Sequence, residues 1–285
     1  MILMSNNQWK RDTNHPAWAQ IGEDCSAECR VKGLVRAYRQ ALPHVIGLQE
    51  VSMHMTDLMM QEMRIFQTEN GETIHYDLIT GGDTPILYRN DLLMLLSSGF
   101  FRYEETIPGL EGSFNNGGTK SYTWGVFEEK ETGKRFALMS THLWWKSSRP
   151  ESKRYQPHSN VARACQITLA IEEMEAVLKK FHCPGVIVGD FNAAMGSLCL
   201  DAVEKAGWVE AHEVTLGERD ETKGHHPCSG DGFSRDEPGD FAHAIDHIIV
   251  QKNSSIRVEK YLRITEEWFD KISDHYPLYI DAVLE

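Results

Sequence analysis

The sequence lacks the features expected of a membrane-bound or exported protein. Its 285 residues contain no stretch approaching the ~18 consecutive apolar residues that cross a bilayer. The opening run over residues 1–4 is too short for the apolar core of a signal peptide, and no basic segment precedes it. These absences predict a soluble, cytoplasmic protein with no membrane partner.

Cysteine is scarce and irregularly spaced. Six cysteines are present, and only Cys25 and Cys29 lie close together. No second pair at zinc-finger spacing accompanies them, and the adjacent histidines His225 and His226 have no matching third ligand, so a zinc hydrolase is a weak alternative. The spacing predicts free thiols in a reducing compartment.

Positive charge is in deficit. The chain has 29 Lys and Arg against 42 Asp and Glu, a formal net charge of −13. Because such a protein repels polyanions at long range, strong non-specific binding to duplex nucleic acid is not expected. Phosphate substrates stay compatible with this composition, since acidic clusters attract divalent cations and a bound cation reverses the local field.

Neither internal repeats nor a linker rich in Pro, Gly and Ser interrupts the chain, and hydrophobic residues make up 41% of it. Helical spacing of apolar residues covers residues 31–42 and 167–178. The strand-like runs cover residues 2–4, 45–48, 74–79, 85–88, 92–96, 122–127, 136–140, 186–188, 244–250, 256–264 and 278–283. This mixture predicts an α/β protein with two packed sheets and outer helices, in a single domain over residues 1–285. Two long loops, over residues 108–120 and 217–239, are either binding loops or solvated excursions.

Polar residues suited to metal binding or proton transfer stand at the ends of these strands. Gly189-Asp190-Phe191-Asn192 follows one apolar run, and Ser273-Asp274-His275-Tyr276-Pro277 precedes another. The remaining candidates are Asn7, Glu50, His142 and Asp246. Most of them alone are explained by a turn or a solvated strand end, His142 is explained by a satisfied structural histidine, and Asp246 lies inside an apolar run, where a buried carboxylate needs a partner. The set as a whole is not expected from independent turns, and a rigid sheet would direct these side chains into one pocket.

In this order, the motifs resemble those of the endonuclease/exonuclease/phosphatase superfamily, whose members include deoxyribonuclease-like enzymes, apurinic endonucleases, sphingomyelinases and deadenylases. The resemblance covers nearly the whole chain. It is carried by Ile46-Gly47-Leu48-Gln49-Glu50-Val51, Pro85-Ile86-Leu87-Tyr88-Arg89, Ser140-Thr141-His142-Leu143, Arg163 with Gln166, Gly189-Asp190-Phe191-Asn192-Ala193, Ile245-Asp246-His247-Ile248 and Ser273-Asp274-His275-Tyr276-Pro277. It implies a four-layer α/β/β/α sandwich, two packed mixed sheets flanked by helices, with the site at one end of both sheets.

The resemblance also implies a metal site. Glu50 and Asp274 offer the hard oxygen ligands that suit Mg²⁺ or Mn²⁺, and Asn7 either joins the metal shell or orients Asp190. The metal would act mainly as a Lewis acid and would neutralise the leaving oxygen.

The remaining residues are implied to handle phosphate and protons. His142 and Asn192 would donate hydrogen bonds to phosphate oxygens, which gain charge in the transition state. Asp246 would hold His275 by accepting a ring N–H. Either Asp190 or His275 would deprotonate the attacking water, and the sequence leaves that choice open.

The residues after His142 are candidates for substrate contact. Trp144 and Trp145 either stack on a base or a sugar ring or pack against the core. Lys120 and the solvent-prone Lys146 are further candidates for contact with substrate phosphates. Asp83 is the candidate carboxylate partner of His142, although a register shift of one residue would turn it away.

The sequence lacks motifs that are typical of particular branches of this superfamily, and these differences narrow the range of expected substrates. The Asn-Gly and Tyr-x-Pro-Asn motifs of apurinic endonucleases are missing, and Val188 and Ala193 replace the flanking residues of the inositol-phosphatase motif. The sequence therefore predicts a Mg²⁺-dependent phosphomonoesterase or phosphodiesterase acting by metal-assisted attack of water on phosphorus, with a small substrate favoured by the charge. A nuclease or deadenylase-like exonuclease on single-stranded nucleic acid is the alternative. A non-catalytic binding protein on the same fold is a third possibility, and no obligate protein partner is inferred.

Overall fold

Strands dominate the computed structural model, which describes residues 1–225 and 239–285 together with the backbone of residues 228–229 and 232–233. The described strands are β1 (Ile2–Asn7), β2 (Val45–Gln49), β3 (Ile65–Gln67), β4 (Thr73–Ile79), β5 (Ile86–Arg89), β6 (Leu93–Arg102), β7 (Ser121–Glu129), β8 (Arg135–His142), β9 (Gly185–Asp190), β10 (Trp208–Glu210), β11 (Cys228–Ser229), β12 (Gly232–Phe233), β13 (Asp246–Gln251), β14 (Ile256–Arg263) and β15 (Leu278–Leu284). The described helices are α1 (Pro16–Gln20), α2 (Ala27–Ala41), α3 (Met53–Met63), α4 (Ser159–Phe181), α5 (Leu198–Lys205) and α6 (Ala211–Val214). His226 and part of the predicted loop over residues 217–239 lie outside the described residues.

Two mixed sheets contain most of these strands. The first has seven strands in the order β14-β15-β1-β2-β5-β4-β3, and the second has six in the order β10-β13-β9-β8-β7-β6. In the first sheet β1 runs parallel to β2, in the second β8 runs parallel to β9, and the other neighbouring strands are antiparallel. The carboxyl ends of each parallel pair therefore lie at the same edge of their sheet.

The two sheets pack face to face over a shared apolar core. Leu3, Val45 and Ile86 of the first sheet lie in one buried cluster with Leu138 and Val188 of the second. A hydrogen-bonded contact also links the sheets, since the Gln49 amide donates to Ser140 Oγ at 3.0 Å and Ser140 Oγ donates to the carbonyl of Leu48 at 2.8 Å.

Helices cover the outer faces of both sheets. Helices α2 and α3 pack on the first sheet, where Leu34 and Met59 share a cluster with Ile46. Helices α4 and α5 pack on the second sheet, where Ile171 shares a cluster with Ile187. This arrangement confirms the predicted four-layer α/β/β/α sandwich, while the assignment of residues 1–285 to a single domain stays a prediction.

Two further expectations concern cysteine and the membrane. Five described cysteines are free thiols, as predicted, namely Cys25, Cys29, Cys165, Cys183 and Cys199. Within the described ranges, no helix combines the length and apolar character needed to cross a bilayer.

Candidate active site

The carboxyl ends of the two parallel strand pairs bring several of the candidate residues to one rim of the sandwich. In the first sheet Asn7 pairs with Gln49, so Glu50 stands directly past the end of β2. In the second sheet His142, the last residue of β8, pairs with Asp190, the last residue of β9. Strand pairing thus brings side chains that are far apart in the sequence together at this rim.

Two antiparallel strands complete the same rim from the other direction. Asp246, the first residue of β13, pairs with Asp190. Strand β15 runs antiparallel to β1, so the turn over residues 273–277 lies beside the end of β1. The Ser273 hydroxyl donates to the carbonyl of Asn7 at 2.7 Å and fixes this turn.

Asp246 and His275 form a buried ion pair at the centre of the site. His275 Nδ1 lies 2.7 Å from an Asp246 oxygen, and only 3% of Asp246 is exposed. Burial would lower the pKa of His275, but the charges of Asp246 and Asp274 outweigh it and raise that pKa well above the ordinary value. Burial likewise opposes ionisation of Asp246, yet the charge of His275 keeps the Asp246 pKa below its usual value.

Asp190 faces this pair and is held by two donors. The Asn7 amide donates to Asp190 Oδ2 at 3.0 Å, and the backbone N–H of Asn192 donates to Asp190 Oδ1 at 2.8 Å. One ligand atom each of Asp190, Asp246 and His275 lies within 4.8 Å of the others. Asn192 adopts a left-handed backbone (φ 51°), which Asn tolerates better than most residues.

Glu50 and Asp274 add two carboxylates to the site. Burial raises the pKa of Asp274 to about 6, with Glu50 and Asp190 raising it further against the lowering effect of His275. Among the described residues, no group donates a hydrogen bond to the buried Asp274 Oδ1. Glu50 Oε1 lies 3.7 Å from His142 Nε2. An unpartnered, buried carboxylate oxygen of Asp274 near the Glu50 carboxylate fits a divalent cation, which would supply positive charge there.

His142 is enclosed by charged partners. Asp83 Oδ2 lies 3.2 Å from its Nδ1, so Asp83 is the carboxylate partner that the sequence left unresolved. Lys120 Nζ lies 2.5 Å from its Nε2 and 3.2 Å from its Nδ1. Lys10, which sequence analysis missed because a lone loop lysine carries no signal, contacts Asp83 at 2.8 Å.

Burial strongly affects Lys120. Its desolvation lowers the pKa, against the raising effect of Glu50, Asp190 and Asp83. The sequence predicted Lys120 as a candidate substrate contact, and the structure places its ammonium group among the carboxylates of the site.

Of the two alternatives for Trp144, the structure favours packing against the core over stacking on substrate. Its side chain is fully buried, with the Phe114 ring edge-on at a centroid distance of 6.1 Å. The Gln166 side chain accepts the backbone N–H of Trp144 at 2.8 Å, and Arg163 donates to the Trp144 carbonyl at 3.1 Å. These bonds explain why α4 carries the buried polar residues Arg163 and Gln166. Trp145, in contrast, is 37% exposed.

Sequence analysis also missed Arg30 on α2, which is 1% exposed. Its guanidinium donates to five backbone carbonyls, those of Gln8, Trp9, Arg11, Cys25 and Ile272. These bonds join the segment after β1 to the turn that contains Asp274. A signal existed, since Arg30 stands four residues before Leu34 on the apolar face of the helix.

His225, which the sequence offered only as a weak zinc ligand, lies beside His275. Its ring stacks on that of His275 at a centroid distance of 5.8 Å, and the two residues form an isolated antiparallel bridge. Burial, followed by the charge of His275, lowers the pKa of His225 to about 4. The structure therefore places a neutral imidazole next to the charged one.

The fold, with carboxylates and an Asp–His pair at one rim of two packed sheets, defines a class of protein. The chain has the fold of the endonuclease/exonuclease/phosphatase superfamily, which confirms the resemblance found in the sequence. No protein-family model and no curated protein matches the sequence.

Solved structures match the chain over its whole length. An endonuclease/exonuclease/phosphatase family protein from Bacteroides thetaiotaomicron is 20% identical, with a TM-score of 0.73 over 100% of this chain and 96% of that chain. A mannosyl-6-phosphatase from the same organism is 21% identical, with a TM-score of 0.70 over 99% of each chain. The catalytic domain of human Nocturnin is 17% identical, with a TM-score of 0.59 over 100% of this chain and 94% of that chain.

Proposed function

We propose that this chain is a divalent-cation-dependent hydrolase of phosphate esters that acts by attack of water on phosphorus. One observation carries the proposal: the buried and unpartnered Asp274 Oδ1 lies in the same site as the Asp246–His275 pair and Asp190. This arrangement combines a place for a cation with groups able to move a proton.

Glu50 and Asp274 are the residues that would hold the cation, Mg²⁺ or Mn²⁺. Asn7 has a different part in the proposal, because its amide already donates to Asp190 and its Oδ1 accepts the N–H of Trp9 at 2.9 Å. Asn7 therefore orients Asp190. The cation, when bound, supplies Lewis acidity and charge neutralisation for the phosphate.

The cluster of Asp190, Asp246 and His275 could itself be considered a metal site. We assign it to proton transfer instead, because His275 Nδ1 is already committed to Asp246 at 2.7 Å. The Asp246 carboxylate keeps the imidazole charged and oriented, so His275 stabilises negative charge on phosphate oxygens. Asp190, held by Asn7 and Asn192, is then the carboxylate that accepts the proton of the attacking water.

Lys120 and Asn192 supply the donors for the phosphate in this proposal. The Lys120 ammonium donates to His142 Nε2, so His142 offers its remaining N–H to Asp83 and orients Lys120. Asn192 holds its side-chain amide near the site by donating to the carbonyl of Leu143 at 3.2 Å. The net charge of −13 favours small or short substrates over long duplexes.

A phosphoester panel tests the proposal. The purified chain is assayed on aryl phosphate monoesters, aryl phosphate diesters and short oligonucleotides with Mg²⁺, with Mn²⁺ and with a chelator. We expect metal-dependent release of phosphate or alcohol that is lost in Asp190→Asn. Absence of turnover on every ester with both metals would overturn the proposal and favour the non-catalytic binding protein.

A further inference from the structure

A basic segment follows the active-site strand β8 in this acidic protein. Residues 145–155, the basic segment from here on, contain four cationic side chains and one acidic one. The cations are Lys146, Arg149, Lys153 and Arg154, and the acid is Glu151. Arg149, Lys153 and Arg154 are exposed, and within the described part of the chain none of the four cations has a carboxylate partner. A local excess of positive charge is therefore free to meet an anion.

Two aromatic residues flank these cations in the sequence. Trp145 is 37% exposed and Tyr155 is 43% exposed. The Arg154 guanidinium carbon lies 5.5 Å from the Trp145 ring centroid, and Lys146 Nζ lies 6.0 Å from it. Accessible rings flanked by cations are the surface that holds bases and backbone phosphates of single-stranded nucleic acid.

The basic segment is anchored next to the catalytic residues. The backbone N–H of Leu143 donates to the carbonyl of Asp190 at 3.0 Å, and Trp145 comes two residues later. Two extended residues span at most about 7 Å, so the Trp145 backbone begins within roughly one nucleotide of the site. Arg163 donates to the carbonyl of Lys146 at 2.7 Å and fixes this exit from the strand.

The basic segment also closes on itself. The Ser147 N–H donates to the carbonyl of Arg154 at 3.0 Å, and the Gln156 N–H donates to the carbonyl of Ser147 at 2.8 Å. These bonds hold Arg154 next to Trp145 and pair Tyr155 with Ser147. Trp145, Lys146 and Arg154 are thus held together before any ligand arrives, which reduces the entropy cost of binding.

We propose that the basic segment binds a nucleotide unit of the substrate beyond the reacting phosphate. Its base stacks on Trp145, and its phosphate pairs with Arg154 and the neighbouring cations. This inference rests on the proposed phosphoesterase function and specifies the substrate as a nucleotide that carries a second phosphate, either as a small molecule or as the end of a single strand.

Binding is tested separately from turnover. A fluorescein-labelled short oligothymidylate is titrated with His275→Ala protein and read by fluorescence anisotropy, with unlabelled thymidine bisphosphate as competitor. Trp145→Ala in the same background should weaken binding about 5- to 100-fold, the range for loss of one stacked base. Arg154→Gln should reduce the slope of log affinity against log salt by about 0.7, the value for one single-strand phosphate contact.

Lys179→Gln provides the matched control. Lys179 is an exposed cation on the last turn of α4, about 30 Å along the helix from its start near Arg154. Lys179→Gln removes one positive charge, as Arg154→Gln does, so a general effect of net charge would weaken binding equally in the two variants. We expect no change for the control.

The outcomes separate this inference from the proposed function. Oligonucleotide binding that depends on Trp145 and Arg154 supports it, even if turnover fails. Competition by thymidine bisphosphate at similar concentration indicates a small nucleotide as the source, and weak competition indicates a single strand. Binding that is absent, or that Trp145→Ala and Arg154→Gln leave unchanged, overturns the inference and makes the basic segment a solvated surface.

Discussion

At the scale of single residues, the Asp246–His275 pair is the most demanding feature of the site. Two ionised groups are removed from water there, and each is stabilised by the other at 2.7 Å. Leaving one buried partner unpaired is costly, so the pair works as a unit. The orientation and charge of His275 therefore depend on Asp246.

Asp246→Asn should test this dependence. The amide keeps a similar shape and an acceptor but removes the charge, so we expect kcat to fall about 10²- to 10⁴-fold with the fold intact. Steady-state kinetics and far-UV circular dichroism measure the two quantities. Asp57→Asn, an exposed change on α3, is the control. A kcat within a few-fold of wild type for Asp246→Asn would contradict the assigned role.

Asp274→Asn should reveal the cation site through stability. The folded pKa of Asp274, about 6, lies above the ordinary value of 3.8. The folded state thus holds more proton than the unfolded state between these values, and this group's contribution to stability falls as pH rises from about 4 to about 6.

In chelator, Asp274→Asn should therefore gain stability relative to wild type as the pH rises through that window. With Mg²⁺ or Mn²⁺ added, the Tm of wild type should rise by mass action while that of the variant should not. Differential scanning fluorimetry across pH, with and without metal, measures both effects. Equal metal-induced shifts in the two proteins would remove Asp274 from the cation site.

The positions of Asp83 and Trp144 could not be predicted from the sequence. Asp83 was ambiguous because one step of register reverses a side chain on a strand. The structure places it in a turn before β5, where contacts with Lys10 and His142 fix its direction. Trp144 could not be assigned because its burial depends on Phe114, a residue distant in sequence whose loop covers the ring.

At the scale of elements, β2 must approach the opposite sheet closely. A Cβ on Gly47 would lie 2.4 Å from Val188 Cγ2 and 2.9 Å from Ser140 Cβ. Only glycine fits at this distance, two residues before the end of β2 and three before Glu50. The close approach brings the rims of the two sheets together where the site forms.

Gly47→Ala should consequently destabilise the protein by about 1–3 kcal/mol through overpacking. Urea denaturation of Gly47→Ala, Val188→Ala and the double variant forms a cycle that isolates the contact. Because Val188→Ala removes the clashing methyl group, the double variant should be more stable than the sum of the single changes by about 1 kcal/mol or more. Strictly additive effects would show that the sheets are not in contact at Gly47.

Element prediction succeeded where the periodic signal was strong and failed where it was short. The apolar runs located the main strands and the two long helices, although α4 begins eight residues before the predicted run over residues 167–178. Helix α3 was missed, although Ser52 caps its start by accepting the N–H of Met55 and the buried Met55, Met59 and Met63 follow helical spacing. Methionine is common in cores and weak as a periodic marker, so this pattern was overlooked.

At the scale of the whole molecule, the site is divided between the two sheets. The proposed cation ligands, Glu50 and Asp274, belong to segments of the first sheet, whereas Asp190 and Asp246 belong to the second. The Asn7–Asp190 and His275–Asp246 hydrogen bonds cross between them. The order of motifs along the sequence predicted which residues meet, but their distances depend on how the sheets pack.

The charge of the whole chain makes a separate prediction. With a net charge of −13, the protein should bind long duplex DNA poorly, because association with phosphates must overcome long-range repulsion. Anisotropy of a labelled duplex in magnesium buffer should show affinity well below that for a single strand of the same length. Equal or tighter duplex binding would contradict a preference for short or single-stranded substrates.

The hairpin formed by β7 and β8 has its turn at the far end of the second sheet. Because Ser121 pairs with His142 at the rim, the turn around Gly133 lies about 23 Å away along the strand. A Cβ at Gly133 would meet open space. This turn is therefore a suitable attachment point for a dye, an affinity tag or a solid support, and immobilisation there would leave the rim that carries His142 and Asp190 facing the solution.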